Sequence, residues 1–171
     1  MKQIILVLAL ATLSLGYGQK KKYKQVTPTT KAMKSPVNII SIKIEKTKDE
    51  VFKFASNPEN FPQWLAFVKS ITKISGDSWK AETIMGPVVI DFFPENKLGV
   101  IDHNVTLPDK SVVHNSLRVI ENGAGSKVVF VLFEMPGKTE DDYKKDADAV
   151  RADLNKLKQV IESDVAKIAS E

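Results

Sequence analysis

The sequence predicts an α+β domain in which a curved, seven-stranded antiparallel sheet wraps around one long C-terminal helix, with two short helices after the first strand. Three observations carry this expectation. Residues 37–45 alternate between apolar and polar. Six further strand-like stretches follow between residues 68 and 134, separated by short turn signals. From residue 139 onward, apolar side chains recur at helical spacing.

In the first stretch Ile40, Ile42 and Ile44 point one way and Ser41, Lys43 and Glu45 the other, the pattern of a half-buried strand. Thr47-Lys48-Asp49-Glu50 forms a capping box, in which the Thr47 hydroxyl and the Glu50 carboxylate satisfy each other's exposed amides. It opens a short helix presenting Val51, Phe52 and Ala55. Asn57 caps a second short helix with Pro58 in its first turn, and this one carries Phe61, Trp64 and Leu65.

Strands are then expected over 68–75, 79–84, 88–93, 98–107, 111–121 and 127–134. The breaks fall at Gly76-Asp77, Gly86-Pro87, Pro94-Glu95-Asn96, Pro108-Asp109 and Asn122-Gly123-Ala124-Gly125. Connections this short make an antiparallel meander. Thr139 caps the closing helix, whose stripe is Tyr143, Ala147, Val150, Leu154, Leu157, Ile161, Val165 and Ile168. At about 1.5 Å per residue it reaches roughly 45 Å. A bent sheet closing on one helix leaves space between them, the natural site for an apolar ligand.

The N-terminus carries different information. Met1-Lys2-Gln3 is followed by an almost unbroken apolar run to Leu15 and then by Gly16-Tyr17-Gly18, a signal-peptide pattern with cleavage expected after Gly18. The run is too short for a stable transmembrane anchor, which needs about 20 apolar residues. Residues 1–18 are therefore expected to direct export, to the periplasm or outside the cell. Residues 19–36 hold Lys20, Lys21, Lys22, Lys24, Lys31 and Lys34 with no acidic residue, and read as a basic disordered linker. Without Lys2 and these six, 18 basic residues face 21 acidic ones from Val37 onward, a net charge near −3. The basic character belongs to the linker. It suggests at most weak contact with an anionic membrane through Lys20–Lys24, and nucleic acid is not expected as a partner. With zero cysteines, thiolate catalysis and thiolate metal sites are excluded.

Particular residues resemble a known family. These are Leu98-Gly99-Val100-Ile101-Asp102-His103, the run from Leu117 through Asn122-Gly123-Ala124-Gly125 to Ser126, and Asp148-Ala149-Val150-Arg151-Ala152-Asp153-Leu154 with Leu157-Lys158. Together with Val51-Phe52, Asn57-Pro58-Glu59-Asn60-Phe61-Pro62 and Trp64, they are similar to the polyketide cyclase/dehydrase-type, START-like (SRPBCC) branch of the helix-grip superfamily. The resemblance covers about residues 38–162. It implies a hydrophobic-ligand cavity, since relatives bind lipids, steroids and plant metabolites or cyclise polyketides. It does not imply one chemistry. Most relatives are cytoplasmic, so a cytosolic partner does not carry over to a chain with a signal peptide.

The only two histidines are His103 and His114. If strands 98–107 and 111–121 pair with residue numbers summing to 218, then Ile101 faces Leu117, Val105 faces Val113 and His103 faces Asn115 on one apolar wall. Asp102, Asn104, His114 and Arg118 fall on the other, solvent-facing side. A one-residue slip would mix the two sets. The histidines then cannot share a metal, and neither a metal nor another cofactor is expected. His103 reads either as an acid–base catalyst or, preferably, as a core histidine hydrogen-bonded to Asn115. Trp64 and Phe61 read as a cavity mouth or as packing for the short helices; both stay open. So does the choice between Phe130 with Leu132 and Val131 with Phe133 as the inward pair, with a lean toward the former.

The candidate ligand-binding set is Trp64, Ile101, His103, Asn115, Leu117 and Phe130. The function expected is binding of a small apolar or amphipathic molecule by a monomeric exported protein, with no assigned catalytic residue. The alternatives are a cyclase-, dehydratase- or hydrolase-like enzyme using His103, and an interaction module whose cavity is filled by its own side chains.

Overall fold

The structure, a computed structural model, describes residues 37–135 and 137–168, with side chains as far as residue 163. The expected signal peptide and basic linker lie outside the described residues, as do the side chains of Val165 and Ile168. The elements run β1 (Val37–Ile44), α1 (Lys48–Ala55), a 3-10 turn (Pro58–Asn60), α2 (Phe61–Trp64), β2 (Val68–Ser75), β3 (Ser78–Thr83), β4 (Gly86–Phe92), β5 (His103–Thr106), β6 (Val112–Asn122), β7 (Gly125–Phe133) and α3 (Glu140–Ile168). All strands pair antiparallel in the order β1-β7-β6-β5-β4-β3-β2. This is the curved seven-stranded sheet with its long C-terminal helix.

The expected capping box and the Thr139 cap both form. Glu50 N–H donates to Thr47 Oγ1 at 3.3 Å while Thr47 N–H reaches Glu50 Oε2 at 2.9 Å. At α3, Thr139 Oγ1 donates to Asp142 Oδ2 at 2.7 Å and accepts from Asp142 N–H at 3.2 Å. The second short helix differs from expectation, being split into the 3-10 turn and α2. Pro62 is the cause: without an N–H it cannot make the helical bond back to residue 58.

Between β5 and β6 the register is the expected one, with His103 opposite Asn115, Asn104 opposite His114 and Val105 opposite Val113. The strand is shorter than the expected 98–107, beginning only at His103. Asn96 explains this. Its side-chain oxygen accepts from Leu98 N–H at 3.0 Å and Val100 N–H at 3.1 Å, and its amide donates to Val100 O at 2.9 Å. That closes a compact loop in place of extended chain. Gly99 sits in it at φ +85°, where a Cβ would lie 2.1 Å from the Val119 carbonyl oxygen. Beyond the strand the sum still holds: Ile101 N–H donates to Leu117 O at 2.9 Å and Val119 N–H to Gly99 O at 2.8 Å.

On β7, Phe130 and Leu132 pack on the core while Phe133 is exposed, which settles the open facing. The helix α3 lies over β1 and touches β7 and α2. Its Ala147, Leu154, Leu157 and Ile161 are buried in one core with Ile40, Ile44 and Val128. Each fully buried leucine contributes about 2 kcal/mol. Polar ties fix the helix as well. Lys158 Nζ donates to Lys43 O at 2.9 Å, Glu162 accepts from Glu45 N–H at 2.8 Å, and Asp153 accepts from Ala66 N–H at 3.0 Å. The first two occupy backbone groups on the free edge of β1.

Candidate functional site

An aromatic groove opens on the inner face of the sheet, beneath α1. It is bounded by Phe52 and Lys53 of α1, by Lys73 and Trp79 of the β2–β3 hairpin, and by Phe92 and Ile101 at the joint between β4 and β5; its volume is about 420 Å³. Asp77 and Glu95 line it as well. Alternation puts the rings there. On β3 and β4, Ala81, Val88 and Ile90 are buried, so Trp79 and Phe92, two residues along, share their face. Lys73 Nζ lies 5.6 Å from the Trp79 ring centroid, a cation–π contact.

Directly behind Phe92 sits His103. The two rings are 5.2 Å apart, and Phe61 stands 6.4 Å from His103 and 5.6 Å from Phe92. The imidazole is buried, and both of its nitrogens are engaged: Nδ1 with Ile101 O at 3.0 Å, Nε2 with Asn115 Nδ2 at 3.2 Å. A carbonyl only accepts and the amide nitrogen only donates, so the ring is the neutral tautomer with its proton on Nδ1. Burial pushes the His103 pKa below its ordinary value; the hydrogen bond to Ile101 opposes this, and the nearby His114 adds to it.

The structure therefore brings His103 and Asn115 together, as the register requires, and sets Ile101 on the groove wall beside them. Leu117 is buried in the core, opposite Phe130 on β7, which is half-buried. Trp64 is 4 % exposed and meets Phe61 edge-to-face at 5.4 Å, packing the short helices together. Its indole N–H has no acceptor among the described residues. His114 is exposed on the opposite face, its Nδ1–H donating to Asn104 Oδ1 at 3.0 Å. Among the described residues no three His, Asp or Glu side chains converge.

The groove opens under α1, near the β2–β4 end, while α3 packs aliphatic side chains over β1. One expectation needs correction. Asp102, expected in solvent, is 8 % exposed. It accepts from Leu117 N–H at 3.1 Å and pairs with Arg118. Facing outward on an alternating strand does not ensure contact with water. The groove residues Lys53, Lys73, Trp79 and Phe92 were not singled out from sequence, and Phe52 only as an apolar residue of the first short helix. The alternation of β4 was a signal for Phe92, but nothing in the linear pattern says which tertiary gap stays open.

No protein-family model and no curated protein matches the sequence. Solved structures do. An uncharacterised protein from Bacillus thuringiensis superposes with a TM-score of 0.62 at 14 % identity, over 74 % of this chain and 98 % of that one. A START superfamily protein from Mycobacterium smegmatis gives 0.59 at 11 % identity, over 74 % and 97 %. CalU16 from Micromonospora echinospora gives 0.57 at 15 % identity, over 74 % of each chain. The chain has the START-like helix-grip fold.

Proposed function

We propose that this is an exported carrier or sensor holding a small hydrophobic or amphipathic molecule in the groove beneath α1. The observation that carries the reading is the groove itself: about 420 Å³ bounded by Phe52, Trp79, Phe92 and Ile101, the size and lining of a small-molecule site. The START-like fold supports it. The state of His103 favours binding over acid–base catalysis, because both nitrogens are already occupied and the ring is held neutral behind Phe92. On this reading His103 and Asn115 brace the wall that Ile101 presents.

The test is native mass spectrometry of protein purified from its own host, followed by titration with anilinonaphthalene sulfonate as an apolar fluorescent probe. A non-covalent adduct, or probe uptake weakened about tenfold by Phe92→Ala, is expected; a tenfold loss corresponds to about 1.4 kcal/mol. Absence of adduct together with uptake indifferent to Phe92→Ala would overturn the reading. The export half is checked separately by N-terminal sequencing, which should begin at Gln19.

A further inference from the structure

We propose that the outer face of the sheet over β1 and β7 docks on anionic membrane lipid. Val37, Ile39 and Phe133 are 50, 68 and 42 % exposed there. Pairing puts Val37 beside Phe133 and Ile39 beside Val131, so the apolar side chains form one cluster two strands wide. At the other end of the same face Lys43 stands directly opposite Lys127. Like charges across a ladder cost stability. Among the described residues Lys43 is relieved only by an exposed bridge to Glu45 at 2.8 Å, just beyond the strand.

No outward position of β1, β7 or β6 holds Asp or Glu. The far side of the same sheet is different, with Lys80 bridged to Glu82 at 2.7 Å and Asp91 on β4. The outer face of β1 and β7 thus joins exposed apolar side chains to lysines with no outward carboxylate in either strand, beside the segment 19–36 with its six lysines and no acid. This combination selects a lipid surface. Aliphatic and aromatic side chains enter the acyl boundary while lysines meet anionic headgroups. A second copy of the face would offer these cations only Glu45, already bridged to its own Lys43, and nucleic acid would leave the apolar cluster unused. The inference does not depend on the groove, so a result here leaves ligand binding untouched.

The test is co-sedimentation of the chain from Gln19 onward with phosphatidylcholine vesicles, with and without phosphatidylglycerol, at low and high salt. Residues 19–36 are common to every arm, so differences between variants report on the folded face. Binding is expected only with phosphatidylglycerol and should weaken with salt. Ile39→Asp and Phe133→Asp should each reduce it about tenfold, with unchanged circular dichroism. An Ile39→Trp chain should keep binding and gain emission quenched by brominated acyl chains. Three results would overturn the proposal: binding indifferent to both Asp variants, an Ile39→Trp signal untouched by brominated lipid, or a face that instead mediates a dimer abolished by Ile39→Asp.

Discussion

The inner face of the sheet is closed in two different ways at its two sides. Over β1 and β7 it meets the long helix α3 through aliphatic residues, with Ile44, Val128 and Leu157 fully buried. Toward β2–β4 it meets the 3-10 turn and α2, with the rings of Phe61 and Trp64 buried, while Trp79 and Phe92 remain only half-buried. Branched aliphatic side chains interdigitate and leave little space. Flat rings on short elements meet edge to face, as Phe61 does with Trp64 and Phe92, and a gap of about 420 Å³ stays open beside them. Both sides share the buried core, Phe61, Val88 and Ile90 included, but only the β2–β4 side leaves rings at its margin beside an open groove.

The sharpest way to break this contrast is to cut one large side chain on each side. Leu157→Ala should cost about 3–5 kcal/mol, the price of a cavity in a closed core. Phe92→Ala removes more atoms, yet should cost only about 1–2 kcal/mol, because its site already adjoins open space. Urea denaturation of both variants checks this. Equal losses would mean that the groove side is as much a part of the core as the helix side.

The same contrast decides what could be read from sequence. The α3 stripe was legible because burial along a helix repeats every three or four residues, and Ala147, Leu154, Leu157 and Ile161 are the buried members. The β5–β6 register was legible because Val105, Leu117 and Val119 must all enter the core, which fixes His103 opposite Asn115. The groove was not. It depends on how far α1 stands from Trp79 and Phe92, a tertiary distance that no local pattern records. The burial of Asp102 was hidden for a similar reason: alternation gives the side of a strand, whereas the partners at Leu117 N–H and Arg118 come from its neighbour.

His103 lies where the two sides meet, and it gives the contrast a pH dependence. Its pKa in the folded chain is pushed below the ordinary 6.5, chiefly by burial. The unfolded chain therefore takes up the proton first as pH falls, and stability rises with pH through this window. The contribution is complete above about pH 6.5 and is lost as pH falls through the lower folded-state value. Replacing His103 with Gln should flatten this part of the stability profile, read as the urea midpoint at successive pH values. An NMR titration of the His103 ring that gives an ordinary or raised value would show that the imidazole is not held neutral behind Phe92.

The smallest expected effect separates the chemistry of the groove's rim from that of its walls. Lys73 leans on Trp79 and, like Lys53, joins no ion pair among the described residues, so both ammonium groups are available to a ligand's anionic end. Asp77 and Glu95 offset them in net charge, which leaves local geometry to decide the preference. An exposed cation acting this way contributes about 0.5–1 kcal/mol. Lys73→Gln should therefore weaken anilinonaphthalene sulfonate by about two- to fivefold while leaving an uncharged naphthalene probe unchanged. Asp77→Asn should tighten the anionic probe by less than that. If both probes weaken together in Lys73→Gln, Lys73 acts by holding the Trp79 ring in place, and the groove selects by shape alone.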